Sequence, residues 1–142
     1  MARYFTLKEL CASDTAKARG IDNFPTFEVV ANLELLTKRI LDPLREAWGS
    51  AIRVTSGYRC NALNTAIGGS RTSVHVYGLA CDMQPYNGMT DAFIDFTKKW
   101  LDDNKIAYDQ LIRETSGKSL WMHIGLYGPK GQQRRQYLDL KK

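Results

Sequence analysis

A chain of 142 residues, 44% hydrophobic and 25% charged with a net charge of +5, is sized for one globular domain over residues 1–142 with a core of its own. No apolar run nears the roughly 20 residues of a membrane span, and MARYFTLKELC opens without the apolar segment of a signal peptide, so no membrane partner is expected and synthesis is cytoplasmic. The basic residues are dispersed apart from QQRRQYLDLKK, which reads as a solvated basic tail; nucleic acid is not an expected partner, whereas a polyanionic cell wall suits the positive balance.

In chain order, TLKE at Thr6–Glu9 reads as a capping box opening a short helix towards Arg19. From Thr26, apolar residues recur at Val30, Leu33, Leu36, Ile40, Leu44 and Trp48, which is helical spacing, with Pro43 expected to kink or break the helix. AIRVTS (51–56) is a strand candidate, GYRCNALNTAIGGS a loop with a short helix, and GLACDMQ (78–84) a second strand. TDAFIDFTKKWLDDN (90–104) reads as an amphipathic helix with Thr90 as N-cap. IAYDQLIRE (106–114) and SLWMHIGLY (119–127) read as a hairpin joined by TSGK. The class is α+β: helices first, then a small, mainly antiparallel sheet with one helix inserted. Cys11, Cys60 and Cys81, odd in number and without C-x-x-C spacing, read as free thiols.

The two histidines, His75 and His123, together with Asp82 could form a metal site. Catalytic zinc takes three ligands of His, Asp or Glu type and keeps a fourth position open, and Gly78 and Ala80 between the first two would let the backbone turn close to an ion. Spacing alone leaves the alternative open, because His-x6-Asp is not the helical H-E-x-x-H pattern and a single histidine also serves as a hydrogen-bonded structural residue. With TSGK as a four-residue loop, Glu114 pairs with Ser119, Ile112 with Trp121 and Gln110 with His123. Strand alternation then puts Gln110, Ile112, Glu114, Trp121 and His123 on one face, a carboxylate beside a ligand.

The stretch IRVTSGYRCNALNTAIGGSRTSVHVYGLACDMQ resembles the M15 family of zinc peptidases. The resemblance is carried by Ser56-Gly57-Tyr58-Arg59, Asn64, Gly68-Gly69, Ser73-x-His75-x-x-Gly78-x-Ala80-x-Asp82 and Trp121-x-His123. YFTLKELCASDTAKARGIDN, LDPLREAWG and RRQYL extend it towards the small single-domain members carried by phages and prophages. It implies a hedgehog/DD-peptidase-like fold, Zn2+ held by His75, Asp82 and His123, and a peptidoglycan stem peptide as substrate.

Some members keep an acid three residues before the last histidine; Leu120 stands there and cannot transfer a proton. The resemblance moves that role to Glu114, with Asp109 as the alternative. Arg59 is expected to hold a substrate carboxylate or the developing oxyanion, with a structural salt bridge as the alternative; Ser73 is expected to position the loop or a ligand, or to be purely structural, and Trp121 to wall the cleft or join the core. Tyr58 reads as packing and Cys81 as core; Cys60 has no third histidine to act as its base. A carboxypeptidase acting at D-Ala-D-Ala and an endopeptidase acting at L-Ala-D-Glu are both compatible, and loops 84–90 and 126–133 would discriminate them. A monomeric lysin acting on the wall is the expected setting. The rival is a non-catalytic, zinc-containing wall-binding module.

Overall fold

The computed structural model describes residues 3–142. Two short helices open the chain where one was expected. Thr6 Oγ1 accepts the Glu9 N–H at 3.1 Å and starts α1 (Leu7–Cys11); Ser13 Oγ accepts the Ala16 N–H at 3.1 Å and starts α2 (Asp14–Ala18). A serine that caps a new helix competes with continuing the old one. Thr26 caps α3 (Phe27–Leu36), which runs through a π-helical stretch, Thr37–Leu41, into α4 (Asp42–Trp48). That stretch is the physical form of the break expected at Pro43. The proline ring crowds the carbonyl one turn back and offers no N–H, and a widened turn just ahead of it, in which Asp42 N–H reaches the Thr37 carbonyl, accommodates both. Leu33, Leu36, Ile40 and Leu44 of the predicted stripe are buried.

Strands β1 (Ile52–Ser56), β2 (Ala80–Pro85), β3 (Gln110–Ser116), β4 (Ser119–Gly125) and β5 (Gln136–Lys141) form one sheet in the order β1-β2-β4-β3-β5. All neighbours are antiparallel except β3 and β5. Between β1 and β2 lie α5 (Asn61–Ala66) and a 3-10 turn, Val74–Tyr77; α6 (Thr90–Asp103) connects β2 to β3. One face of the sheet turns Cys81, Met83, Leu111, Met122 and Ile124 into a common core with Phe93, Ile94 and Leu101 of α6 and the stripe of α3 and α4. Cys81 is core, as read from the sequence. The fold is α+β, compatible with the hedgehog/DD-peptidase-like architecture. Among the described residues no helix is long and apolar enough to cross a membrane.

Three sequence expectations are corrected. The hairpin turns through Gly117 and Lys118 alone, so Ser116 faces Ser119, Glu114 faces Trp121 and Ile112 faces His123; Gly117, at φ +59, supplies the left-handed residue that a tight turn needs. The predicted pairing was wrong by two residues, and because strand alternation has period two the predicted faces survive. Thr90 is the first helical residue of α6 rather than its cap, a place Met89 takes without a side-chain bond. The supposed basic tail holds β5, an edge strand whose pairing needs only its backbone, so its side chains stay mostly exposed, Tyr137 and Leu140 among them.

Asp109 anchors the connection into β5. Its carboxylate accepts from Arg134 backbone N–H at 3.0 Å, Nε at 2.8 Å and Nη2 at 2.8 Å, and its own N–H donates to Gly125 O at 2.8 Å. Burial alone would raise its pKa, but these bonds hold it below the usual carboxylate value of 3.8. A depressed folded-state pKa means that the unfolded chain binds more protons; the stability from this anchor is present above about pH 4 and is lost as pH falls through the folded value. Asp109→Asn should therefore cost about 2 kcal/mol at neutral pH, with the gap from wild type narrowing below pH 3.8. Urea unfolding at pH 7 and pH 3 checks this; an equal gap at both would mean that the anchor is electrostatically neutral.

Candidate metal centre

The second face of the sheet carries the chemistry. Ser56 on β1, Asp82 on β2, His123 on β4 and Ile112 on β3 are cross-strand neighbours and form one row over four strands. An irregularity between Val54 and Ser56 advances β1 by one residue, which brings Ser56 rather than Thr55 opposite Asp82. His75 reaches the row from outside the sheet, on the 3-10 turn Val74–Tyr77.

That turn is held at both ends. Ser73 Oγ accepts the His75 N–H at 3.3 Å. Gly78 ends the turn at φ +73, and a Cβ there would stand 2.9 Å from the Val29 carbonyl oxygen of α3. Gly78 is thus required by the seat of the turn on α3, and not by closeness to an ion. The His75 ring is oriented by its Nδ1, 2.7 Å from the Gly57 carbonyl. That oxygen only accepts, so Nδ1 carries the proton and Nε2 is left as a lone-pair donor. Gly57 itself lies against α1, where a Cβ would come within 2.1 Å of the Leu10 carbonyl oxygen.

The three residues converge. His75 Nε2 lies 3.3 Å and His123 Nδ1 3.0 Å from Asp82 Oδ1, and the three ligand atoms are all within 4.8 Å of one another. Zinc bonds of about 2.0–2.2 Å in a tetrahedron put ligand atoms about 3.3–3.6 Å apart, close to these values. His75, Asp82 and His123 are 3%, 6% and 9% exposed, and His75 Nε2 is buried without a hydrogen-bond partner. A buried, unpartnered imidazole nitrogen aimed at a carboxylate and a second imidazole suits a metal ion. Burial lowers the His75 pKa, against the pull of Asp82. Burial also opposes the charge on Asp82, but the two histidines overcome it and hold the carboxyl far below its usual range. Both shifts favour the deprotonated forms that ligate metals.

Glu114 shares the face, 5% exposed, with Oε1 4.0 Å from His123 Nδ1. Its Oε2 has a charge contact with Lys142 Nζ at 3.1 Å, and that ammonium also lies 5.8 Å from the Trp121 ring centre. Trp121 stands directly opposite Glu114 on β4. Asp109, the alternative, has both oxygens occupied by Arg134.

Arg59 makes a salt bridge to Asp82, the alternative to its expected substrate contact. Its guanidinium is directed into the protein: Nε to Ser56 Oγ at 2.9 Å, Nη1 to Asn64 Oδ1 at 3.0 Å and Nη2 to Asp82 Oδ2 at 3.2 Å. The residue is 7% exposed, so its visible partner is a site carboxylate. Sequence reasoning gave no role to Ser56, the Gly57 carbonyl, Asn64 or Lys142. The first three lie in stretches already singled out, but a carbonyl and a neutral amide carry no chemical signature until their partners are known.

A family model described as peptidase M15 matches residues 3–117. The match takes in His75, Asp82 and Glu114 and stops short of His123, which joins the group by geometry. No curated protein matches the chain.

Titration with zinc in a competing-chelator buffer should give one equivalent bound. His75→Ala, Asp82→Ala and His123→Ala should each lose more than the 10–100-fold in affinity typical of an outer-shell change. Free zinc at about 100 times Kd should stabilise the wild type by about 2.7 kcal/mol, and chelator should abolish that gain. No stoichiometric binding would refute the site.

Proposed function

The chain belongs to the peptidase M15 family, a family of metallopeptidases, and we propose that it hydrolyses amide bonds in peptidoglycan stem peptides with zinc held by His75, Asp82 and His123. The observation that carries the proposal is the buried triangle of ligand atoms, with the unpartnered His75 Nε2 at one corner and a carboxylate outside the triangle but on the same sheet face. A bare structural cluster has no need of that further carboxylate.

Zinc in a three-ligand site supplies Lewis-acid polarisation of a carbonyl and acidification of water. Glu114 is the general base in this reading. It takes the proton from the attacking water through the oxygen that faces His123, then delivers it to the departing amine. Asp109 is less suited to the task, since its carboxylate is already committed to Arg134, which donates to both oxygens and fixes their direction. Ser73 fixes the backbone of His75 through its hydroxyl. Trp121, opposite Glu114, forms a wall where the peptide would lie.

The setting proposed is phage or prophage lysis of the bacterial wall by a single monomeric domain. Cleavage falls at D-Ala-D-Ala or at L-Ala-D-Glu, and the loops beyond β2 and β4 make the choice.

Glu114→Gln should keep one zinc and lose about 10²–10⁴ in turnover on muropeptides, the usual scale of general acid–base catalysis. Mass spectrometry of the digest would identify the bond. Undiminished turnover would remove Glu114 from the mechanism. No cleavage by the zinc-loaded wild type would favour the non-catalytic wall-binding alternative.

A further inference from the structure

We infer that Asn64 is a positioning residue for the metal centre, acting through Arg59 on Asp82. The inference rests on reading His75, Asp82 and His123 as metal ligands, and it concerns groups that touch neither metal nor substrate.

Asp82 has two oxygens with different tasks. Oδ1 faces both imidazoles, at 3.3 Å and 3.0 Å, whereas Oδ2 faces Arg59 Nη2 at 3.2 Å. A carboxylate free to rotate can offer either oxygen or both to an ion. A guanidinium fixed on Oδ2 removes that freedom and leaves one oxygen for the metal. Arginine, however, has a long side chain with many rotamers, so it holds Asp82 only if it is itself held. Ser56 Oγ accepts Nε at 2.9 Å, and Asn64 Oδ1 accepts Nη1 at 3.0 Å.

Asn64 is built for this use. Its Nδ2 donates to the Ser70 carbonyl at 2.9 Å, which fixes which end of the amide faces Arg59. Gly69 N–H donates to the Asn64 carbonyl at 2.8 Å and closes the chain over the pair. A Cβ on Gly69 would lie 2.0 Å from Asn64 Oδ1 and 3.0 Å from Arg59 Nη1. The glycine is there because the backbone covers that hydrogen bond and keeps water from replacing it. Asn64 is 7% exposed. The sequence pattern Arg59, Asn64, Gly68-Gly69 thus reads as one device: a guanidinium, its acceptor and a lid.

The test is zinc affinity, measured by chelator competition well below the melting temperature so that folding losses do not enter. Asn64→Leu keeps the shape and removes the acceptor, and it should weaken zinc about 10–100-fold. Arg59→Lys, which cannot make the fork, should weaken it similarly. The double variant should bind no more than a few-fold weaker than Arg59→Lys alone, because the two act in series. The visible spectrum of the cobalt-substituted protein should change in Asn64→Leu, since it reports ligand geometry. Wild-type affinity and spectrum in Asn64→Leu, or losses that multiply in the double variant, would overturn the inference. If Asn64→Leu does not fold, Ser56→Ala removes the other anchor and is held to the same affinity and spectral criteria. A wild type that fails to bind zinc would remove the metal reading itself, and this inference with it.

Discussion

The structure depends on a carboxylate buried in the middle of a sheet. Asp82 sits on a central strand and is 6% exposed, where an ion without partners would cost several kcal/mol. Three groups on three different elements meet it: His75 from the turn, His123 from β4 and Arg59 from the loop after β1. Their convergence imposes the surrounding design. Since no side chain in this cluster can be withdrawn without stranding another, the backbone around it has to be held to close tolerance.

The helices supply much of that tolerance. The apolar stripe of α3 and α4 fills the core, and the backbone of α3 at Val29 also seats Gly78, which fixes the turn bearing His75. α1 does the corresponding job on the other side, where the Leu10 carbonyl accepts the Tyr58 N–H at 2.8 Å and leaves no room for a side chain at Gly57. Asn23 ties the same region together: its amide donates to the Cys11 and Tyr58 carbonyls and its oxygen accepts from Cys60 N–H. Packing energy spent on the helical layer is in this way converted into fixed ligand directions on the opposite face of the sheet.

The two carboxylates beside the row illustrate how neighbours decide roles. Asp109 and Glu114 lie five residues apart and are both buried. One is bound on both oxygens by Arg134 and pins a loop, while the other is left with one oxygen towards His123 and one towards the ammonium of Lys142. Position separates their tasks: Asp109 lies just before β3, where Arg134 reaches it, and Glu114 lies within β3, opposite Trp121.

The sequence by itself determined the class of the fold, the helical stripe, the break at Pro43 and the identity of the three converging residues. The first three follow from local periodicity and from the chemistry of proline; the last follows from the resemblance to the M15 pattern, since spacing alone left it open. It also determined the face shared by Glu114 and His123, since a pairing wrong by two residues leaves strand parity intact. It did not determine β5, whose pairing is made by backbone groups that every residue carries, nor the split of the first helix, which turned on a competing cap at Ser13. Above all it could not assign Arg59. A guanidinium in a motif is chemically able to bind substrate, and only the folded chain, by setting Ser56, Asn64 and Asp82 around its three nitrogens, decided that it faces inward. Residues distant in sequence acquire joint chemistry only through the tertiary packing that sets them within hydrogen-bond reach.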